Sequence, residues 1–216
     1  MDVINALPPG LGQQLRVALE LAATLAFALS GVIAAARKRL DAVGVCVVAF
    51  ITAFGGGTLR DLLLDYRPFF WVRHIGFLWA VLGLCVAALL FMRQRHLQPT
   101  ERALLWPDAI GLGLFTAVGV DRALALGQPA LVAVMMGVVT SCFGGVLRDV
   151  LCNDVPSALN DHRPYALWAF AGGWLYAGML AFGLPPWLAL TATVAFTAGM
   201  RLVSVWRNWQ MPAWRD

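Results

Sequence analysis

Seven apolar stretches, separated by short connections that contain charged residues, Pro or Gly, follow one another along almost the whole chain. Each is close to the roughly 20 residues that a helix needs to cross a hydrocarbon core about 30 Å thick. None shows the alternation of apolar and polar residues that is typical of a membrane-spanning barrel strand. The pattern predicts seven transmembrane helices, over residues 15–36, 43–64, 72–92, 104–126, 130–152, 164–182 and 187–206.

The composition agrees with a membrane protein. Of the 216 residues, 60% are hydrophobic and 13% are charged, and the mean hydropathy is +0.73. Soluble globular domains contain about 25% charged residues. Because backbone groups in lipid must be paired within the spanning segment, we predict an all-α integral membrane protein with a single membrane domain over residues 1–216.

The basic residues are distributed unequally between the two sides of this domain. The connections after the first, third and fifth helices and the C-terminal tail contain nine of them, and the other side contains four. Since cytoplasmic segments are enriched in Lys and Arg, we predict an external N-terminus and a cytoplasmic C-terminus in the cell (inner) membrane. The net charge of +4 is therefore an orientation signal, and we expect no nucleic-acid partner. The nine are Arg37, Lys38, Arg39, Arg93, Arg95, Arg102, Arg163, Arg207 and Arg215, and the four are Arg16, Arg67, Arg73 and Arg122.

A motif in the second predicted helix occurs again in the fifth. Residues 55–61 read GGGTLRD and residues 143–149 read FGGVLRD, an offset of 88. The same offset aligns Thr52 with Thr140, Phe27 with Phe115, and Gly31 with Gly119 in sequence. Only the first residue of the second copy, a phenylalanine, departs from the triple glycine. Self-similarity at a fixed offset predicts two related halves.

Each half contains an odd number of predicted crossings, so the second half enters the membrane in the opposite orientation. We predict two inverted repeats related by a pseudo-two-fold axis in the membrane plane. This axis brings equivalent residues of the second and fifth helices together near the bilayer centre. The predicted segments are a first repeat over 10–92, a second over 104–182, a seventh helix over 187–206 and a cytoplasmic tail over 207–216.

The glycines of both copies predict breaks in the second and fifth helices, because Gly costs about 1 kcal/mol relative to Ala inside a helix. Non-helical backbone at membrane depth is tolerated only against protein or a water-filled cavity. We therefore predict an ion pathway, with released carbonyl oxygens available to a monovalent cation near Gly55, Gly56 and Gly144. The predicted pathway residues are Gly55, Gly56, Gly57, Arg60, Asp61, Gly144, Gly145, Arg148 and Asp149.

Both copies of the motif also place an arginine and an aspartate within an apolar segment. A charge there costs about 2.5 to 3.5 kcal/mol, so the four groups must be paired or hydrated. They line or gate the pathway, or they form ion pairs between the repeats, Arg60 with Asp149 and Arg148 with Asp61, that hold the two helices together. The two interpretations are compatible. The four cysteines and three histidines lack metal-ligand spacing, and we predict no dedicated metal site.

The duplicated GGGTLRD and FGGVLRD motifs, the inverted three-helix repeats and the extra C-terminal helix resemble two related groups of proteins. These are the prokaryotic trimeric intracellular cation (TRIC) channel family and the related bacterial inner-membrane proteins proposed as glycine transporters. The resemblance covers nearly the whole chain. It implies a homotrimer in which each subunit has its own pore, lined by kinked second and fifth helices and conducting potassium and sodium. By position, the pathway residues named above would lie at that pore.

Other classes of function have less support in the sequence. Motifs of zinc proteases, serine hydrolases, P-loop enzymes and dinucleotide-binding enzymes are absent, so we expect neither an enzyme nor a cofactor. A carrier for glycine or another small zwitterion is the main alternative, because Arg60 and Asp149 would supply both charges. A non-transporting scaffold is a third hypothesis. The expected partners are potassium and sodium ions, membrane lipids and further copies of the chain.

Overall fold

The computed structural model describes residues 11–95, 101–160 and 163–212. The first residue of the predicted first repeat, residues 161–162 of the predicted second repeat and residues 213–216 of the predicted tail lie outside these ranges. Within them the regular secondary structure is helical. The helices are α1 (Leu11–Arg37), α2 (Ala42–Leu63), α3 (Phe70–Arg73), α4 (Gly76–Arg95), α5 (Glu101–Ala125), α6 (Ala130–Leu151), α7 (Ser157–Asn160), α8 (Ala166–Ala181) and α9 (Pro186–Trp206).

Among the described residues, five helices are long and apolar enough to cross a membrane. Two further apolar segments, in α4 and α8, are shorter. The prediction of an all-α, multi-pass membrane protein is confirmed, and the exact number of seven crossings stays a prediction. The five long spans are Arg16–Arg37, Ala42–Leu63, Ala103–Ala125, Ala130–Leu151 and Pro186–Trp206, and the shorter segments are Gly76–Phe91 and Ala166–Ala181.

The third and sixth predicted helices start later than the sequence indicated, because α3 and α7 form first. The N-terminus of each short helix is held by the aspartate of the preceding motif. Asp61 Oδ2 accepts the backbone N–H of Phe70 at 2.8 Å, and Asp149 Oδ2 accepts the backbone N–H of Ser157 at 2.8 Å. These contacts pair helix N-terminal donors that would otherwise have no intrahelical partner.

The predicted breaks in the second and fifth helices are wrong. Both α2 and α6 are continuous α-helices through their glycines. The glycines instead allow the two helices to touch. A Cβ on Gly56 would collide with the carbonyl oxygen of Thr140, and a Cβ on Gly144 would collide with that of Thr52. The missing side chains therefore serve a close backbone approach, as small residues do between membrane helices.

These two contacts are related by the offset of 88 residues seen in the sequence. Thr52 comes before Gly56 in α2. Their contact partners in α6 come in the reverse order, since Gly144, which meets Thr52, lies after Thr140, which meets Gly56. The two helices therefore cross in an antiparallel sense. Phe27 and Phe115, which are also related by the offset, pack edge to face in the core with ring centroids 5.1 Å apart. Equivalent residues of the two halves thus meet each other directly, which is the arrangement that a two-fold axis produces.

Among the described residues, the apolar core has one cluster in the first half, two in the second half and one between the halves. The first is formed mainly by residues of α1, α2, α3 and α4. In the second half, one cluster is formed by residues of α5, α6, α8 and α9, and the other by Leu112, Cys142, Tyr165 and Ala169. Between the halves lie Ala23 and Phe27 of α1 and Leu114 and Phe115 of α5. The last helix, α9, packs on α5 and α8 and therefore belongs to the second half.

We expect Gly56→Ala and Gly144→Ala each to destabilise the protein by about 2 kcal/mol or more, because backbone atoms must separate to admit the new methyl group. The matched control is Gly199→Ala in α9, where an added Cβ meets nothing within 4 Å. That variant should be neutral or slightly stabilising. Thermal unfolding of purified protein in detergent measures the difference, and equal midpoints for all three variants would contradict the close approach.

Candidate functional site

Arg60 and Asp61 form a buried ion pair in the last turn of α2. Both side chains are fully buried. Arg60 donates from Nε to Asp61 Oδ1 at 2.8 Å, and its Nη2 lies 2.7 Å from the same oxygen. The guanidinium also lies over the ring of Phe70, 5.4 Å from its centroid. The charge is thus enclosed by its neighbouring carboxylate and an aromatic face.

Glu20 of α1 joins this pair from the side. Its Oε1 lies 3.5 Å from Arg60 Nη2 and 3.3 Å from Arg122 Nη2, and its side chain is 2% exposed. One buried carboxylate is therefore shared by two guanidinium groups, one from each half of the chain. Both distances are longer than the one between Arg60 and Asp61, so the contacts to Glu20 are the looser part of this cluster.

A second buried cluster lies in the other half. Arg148 Nε donates to Asp149 Oδ1 at 2.8 Å, and Nη2 lies 2.8 Å from the same oxygen. Arg148 Nη1 donates to Asp108 Oδ1 of α5 at 2.5 Å and to the hydroxyl of Ser30 in α1. Asp149 is held further by the hydroxyl and backbone N–H of Ser157. This cluster is tighter than the first.

The predicted ion pairs between the repeats are wrong. Each motif arginine pairs with the aspartate next to it and with a carboxylate from the preceding long helix of its own half. Geometry explains the difference. Arg60 lies about 6 Å of helix rise beyond Gly56, and Arg148 the same distance beyond Gly144, in opposite directions from the crossing. Glycines and threonines, rather than the charges, occupy the contact between the halves.

Glu20 and Asp108 were missed by the sequence prediction, although a signal was present. Both are carboxylates inside apolar segments, and their numbers differ by 88, the offset of the repeat. A carboxylate in a membrane helix is by default a functional candidate that needs a named partner. Extending the repeat to polar positions of the first and fourth predicted helices would have found both.

A further group of polar contacts connects Arg122 to the segment after α2. The hydroxyl of Tyr66 accepts from Arg122 Nη1 at 3.4 Å and also from Arg73. Both guanidinium groups lie over its ring, at 4.8 and 4.1 Å from the centroid. Tyr66 therefore contacts both Arg122 and Arg73.

Asp121, next to Arg122 in α5, makes a separate set of contacts. Its Oδ2 lies 2.7 Å from Nε of Arg16 in α1, and its Oδ1 accepts the hydroxyl of Tyr176 in α8 at 2.9 Å. These bonds tie three helices together and satisfy a buried tyrosine hydroxyl.

Arg201 of α9 is a further buried charge that the sequence prediction did not include. It is 4% exposed, and its guanidinium carbon lies 4.8 Å from the centroid of the Tyr165 ring. The signal was the polar spacing of α9, where Thr193, Thr197, Arg201 and Ser204 are all buried.

The remaining predicted glycines also lie at close contacts. An added Cβ would lie 2.7 Å from a Leu147 methyl group at Gly55, and would collide with the Phe70 ring at Gly57. At Gly145 the nearest atom would be the Tyr165 hydroxyl, 3.3 Å away. Because all of these glycines lie inside continuous helices, their carbonyl oxygens belong to the helical hydrogen-bond ladder, and the expected released carbonyl ligands are not formed.

A family model described as "Glycine transporter" matches residues 17–93 and again residues 105–181. The chain belongs to the glycine transporter family. The two matched segments of this family model start and end 88 residues apart, the same offset that relates the two buried clusters.

Relatives of this member of the glycine transporter family span most of its length. The chain is 36% identical over 198 residues to a UPF0126 membrane protein of Vibrio cholerae, covering 90% of this chain and 80% of the relative. It is 34% identical over 195 residues to the UPF0126 inner membrane protein YadS of Escherichia coli K12, covering 90% and 93%. Both relatives are described as membrane proteins.

Solved structures share the fold. The chain is similar to the TRIC trimeric intracellular cation channel orthologue from Rhodobacter sphaeroides, with 36% identity, a TM-score of 0.82 and coverage of 89% of this chain and 98% of that one. A second structure, described in terms of conductance through TRIC cation channels, is 31% identical with a TM-score of 0.81, covering 92% and 96%. The glycine transporter family and the TRIC channels thus share one architecture.

The pairing within each half predicts the outcome of two double-mutant cycles. Arg148→Ala or Asp108→Ala alone should cost about 3 to 5 kcal/mol, because each leaves a buried charge without its partner. The double variant should recover at least about 1 kcal/mol of the summed loss.

The comparison cycle uses Arg60→Ala with Asp149→Ala, which lie in different clusters and should be close to additive. Denaturant unfolding in detergent micelles measures both cycles. Coupling between Arg60 and Asp149 with none between Arg148 and Asp108 would show that the charges pair between the halves after all.

Proposed function

We propose that this protein is a homotrimeric channel for monovalent cations, potassium and also sodium, with one pathway through each subunit. Its place is the cell (inner) membrane, where it works without a cofactor and without enzymatic activity. The similarity to solved TRIC cation channels over about nine-tenths of the chain supports the proposal. Membrane lipids and two further copies of the chain are its partners.

The observation that carries the proposal is the pair of buried charge clusters. Each contains a guanidinium and two carboxylates that are almost completely removed from the surface of the subunit. Charges at such positions are expensive in a membrane protein and mark ion routes. A scaffold could be built from apolar side chains of the same volume at no loss of stability.

The architecture that we propose for this channel has seven crossings, formed by two inverted three-helix repeats and a last helix. The N-terminus is external and the C-terminus is cytoplasmic. The antiparallel contact between α2 and α6 supports the inversion, and so does the double match of the family model. In this arrangement the cluster around Arg60 lies toward one face of the membrane, and the cluster around Arg148 toward the other.

The pathway that we propose follows α2 and α6 past both clusters. The charged positions are Arg60, Asp61, Arg148 and Asp149, now joined by the carboxylates that the structure places beside them. The role that we propose for the glycines of the motif differs from the predicted one. They bring α2 and α6 into contact, so the helix crossing is the narrowest point of the pathway. Separation of the two helices at the motif glycines would widen the pathway there. These glycines are Gly55, Gly56, Gly57, Gly144 and Gly145.

A carrier for glycine or another small zwitterion is the second candidate. The family description favours it, and each cluster offers a guanidinium and carboxylates at hydrogen-bond distance of each other. A zwitterion needs both signs at once. A channel and a carrier differ in whether net charge crosses the membrane.

The purified protein reconstituted in planar bilayers should give unitary currents that reverse near the potassium equilibrium potential in a potassium chloride gradient. A glycine gradient alone should give no current. Uptake of labelled glycine into liposomes is the parallel measurement. Saturable, electrically silent glycine uptake without potassium current would replace the channel by the carrier.

Arg60→Lys should lower the potassium conductance by about tenfold, because an ammonium group cannot keep the two-point contact with Asp61. The variant retains the buried positive charge, which limits the loss of stability. Arg163→Ala is the control, since Arg163 bonds Asn208 at an exposed site. It should conduct as the unchanged protein does. Equal conductance of both variants would indicate that the Arg60 cluster only supports the fold.

A further inference from the structure

An open cavity lies beside α3, in the segment that connects α2 to α4. Its volume is about 480 Å³, and it is lined by Arg67, Pro68, Phe69 and Val72. This segment follows directly on α2, one of the five long spans, so it lies at the membrane face where α2 ends. The cavity, called the Arg67 cavity below, is therefore at the level of the lipid headgroups.

Arg67 brings a positive charge to this cavity that the protein hardly compensates. Its side chain is 61% exposed, and its guanidinium lies over the ring of Phe69, 5.2 Å from the centroid. Its one ion pair among the described residues is to Asp65, at 3.8 Å, and Asp65 is 95% exposed. An ion pair that is this long and this exposed contributes little, so the guanidinium is free to bind another anion.

A second guanidinium, that of Arg73, is bonded to the same segment by neutral groups. Its Nε donates to the carbonyl oxygen of Pro68 at 2.9 Å, and its Nη2 donates to that of Arg67 at 2.8 Å. Its Nη1 donates to the hydroxyl of Tyr66. These acceptors use three of the five N–H groups of the guanidinium and leave its charge in place. In the described part of the chain, Arg73 pairs with no carboxylate.

A row of exposed apolar side chains follows this segment along α4. Ile75, Trp79, Leu82, Val86 and Leu90 are between 45% and 69% exposed. Their spacing of three or four residues places them on one face of the helix. From Trp79 to Leu90 the helix rises by about 16 Å, which is roughly half the thickness of a hydrocarbon core. The row thus offers an apolar surface to the depth of one lipid leaflet.

The second repeat has no such pair of arginines. At the offset of 88 residues, Arg67 corresponds to Val155 and Arg73 corresponds to Asp161. Asp161 lies outside the described residues, so for that position the comparison is one of sequence alone. The repeat itself therefore does not require the two arginines, and a phosphate would meet an apolar and an acidic residue at the equivalent place.

We propose that the Arg67 cavity binds the phosphate of an anionic phospholipid, whose acyl chain lies along the exposed row of α4. Arg67 bonds the phosphate oxygens, and Arg73 adds its charge. Charge complementarity selects the lipid class, because the ammonium group of a zwitterionic lipid would be repelled by both arginines. The inference rests on the membrane location in the proposed function and names the class and the position of its lipid partner. It does not require that the protein conducts ions.

Lipid binding to the full-length protein in detergent is measured by native mass spectrometry. Phosphatidylglycerol is the probe, and phosphatidylcholine with the same acyl chains is the reference lipid. Arg67→Gln should weaken phosphatidylglycerol binding by about fivefold, the effect of one arginine near an anionic surface, and leave phosphatidylcholine binding unchanged. Val72→Asp, which adds a carboxylate to the same cavity, should weaken it at least as much. Both side chains are exposed, so both variants should fold.

Arg207→Gln is the matched control, since Arg207 is an exposed arginine that follows α9. It should bind phosphatidylglycerol as the unchanged protein does. An equal loss in Arg67→Gln and Arg207→Gln would overturn the inference, because any exposed arginine would then attract the lipid. Unchanged binding in both Arg67→Gln and Val72→Asp would overturn it as well.

Two further measurements identify the occupant of this face. Glycerol phosphate, a soluble headgroup without acyl chains, should displace the lipid only in large excess, and displacement at equal concentration would show that the cavity binds a free phosphate compound instead. Light scattering of Arg67→Gln should show an unchanged oligomer, and its dissociation would assign this face to a second copy of the chain. A protein that binds the lipid here and conducts no ions would overturn the proposed function alone.

Discussion

The contact between α2 and α6 is the constraint on which the remaining structure depends. Gly56 meets the backbone of Thr140, and Gly144 meets that of Thr52, so two helices from different halves approach at backbone distance. Apolar side chains gain little from contacting each other instead of lipid, and close packing is what drives such helices together. Everything that lies beyond the crossing, including both charge clusters, is positioned by this contact.

The clusters follow from the crossing. Because the glycines occupy the contact, the motif arginines extend away from it, each toward the first long helix of its own half. Glu20 and Asp108 receive them there, and the aspartate that follows each arginine completes the pair and also caps the next short helix. The Arg-Asp dipeptide of each motif thus neutralises the buried arginine and also holds the N-terminus of the short helix that follows.

The sequence predicted the class, the helices and the two-fold relation of the motif because these depend on composition, hydropathy and self-similarity. It failed for Gly56 and Gly144, since a run of glycines is compatible with a broken helix and with a close contact, and only the facing backbone decides between them. It failed for the partners of Arg60 and Arg148 for another reason: the offset of 88 marks Glu20 and Asp108 as candidates, but the sequence does not contain the distances that decide between these carboxylates, the adjacent aspartates and the aspartates of the other repeat.

The arginine that completes the first cluster has a consequence for how the chain is made. The first half alone contributes Glu20, Asp61 and Arg60 to this cluster, an excess of one negative charge. Arg122, which also contacts Glu20, arrives only with α5. During synthesis, the first cluster therefore stays electrically unbalanced until a helix of the second half has entered the membrane. A chain that stops before α5 would retain one uncompensated carboxylate in its interior.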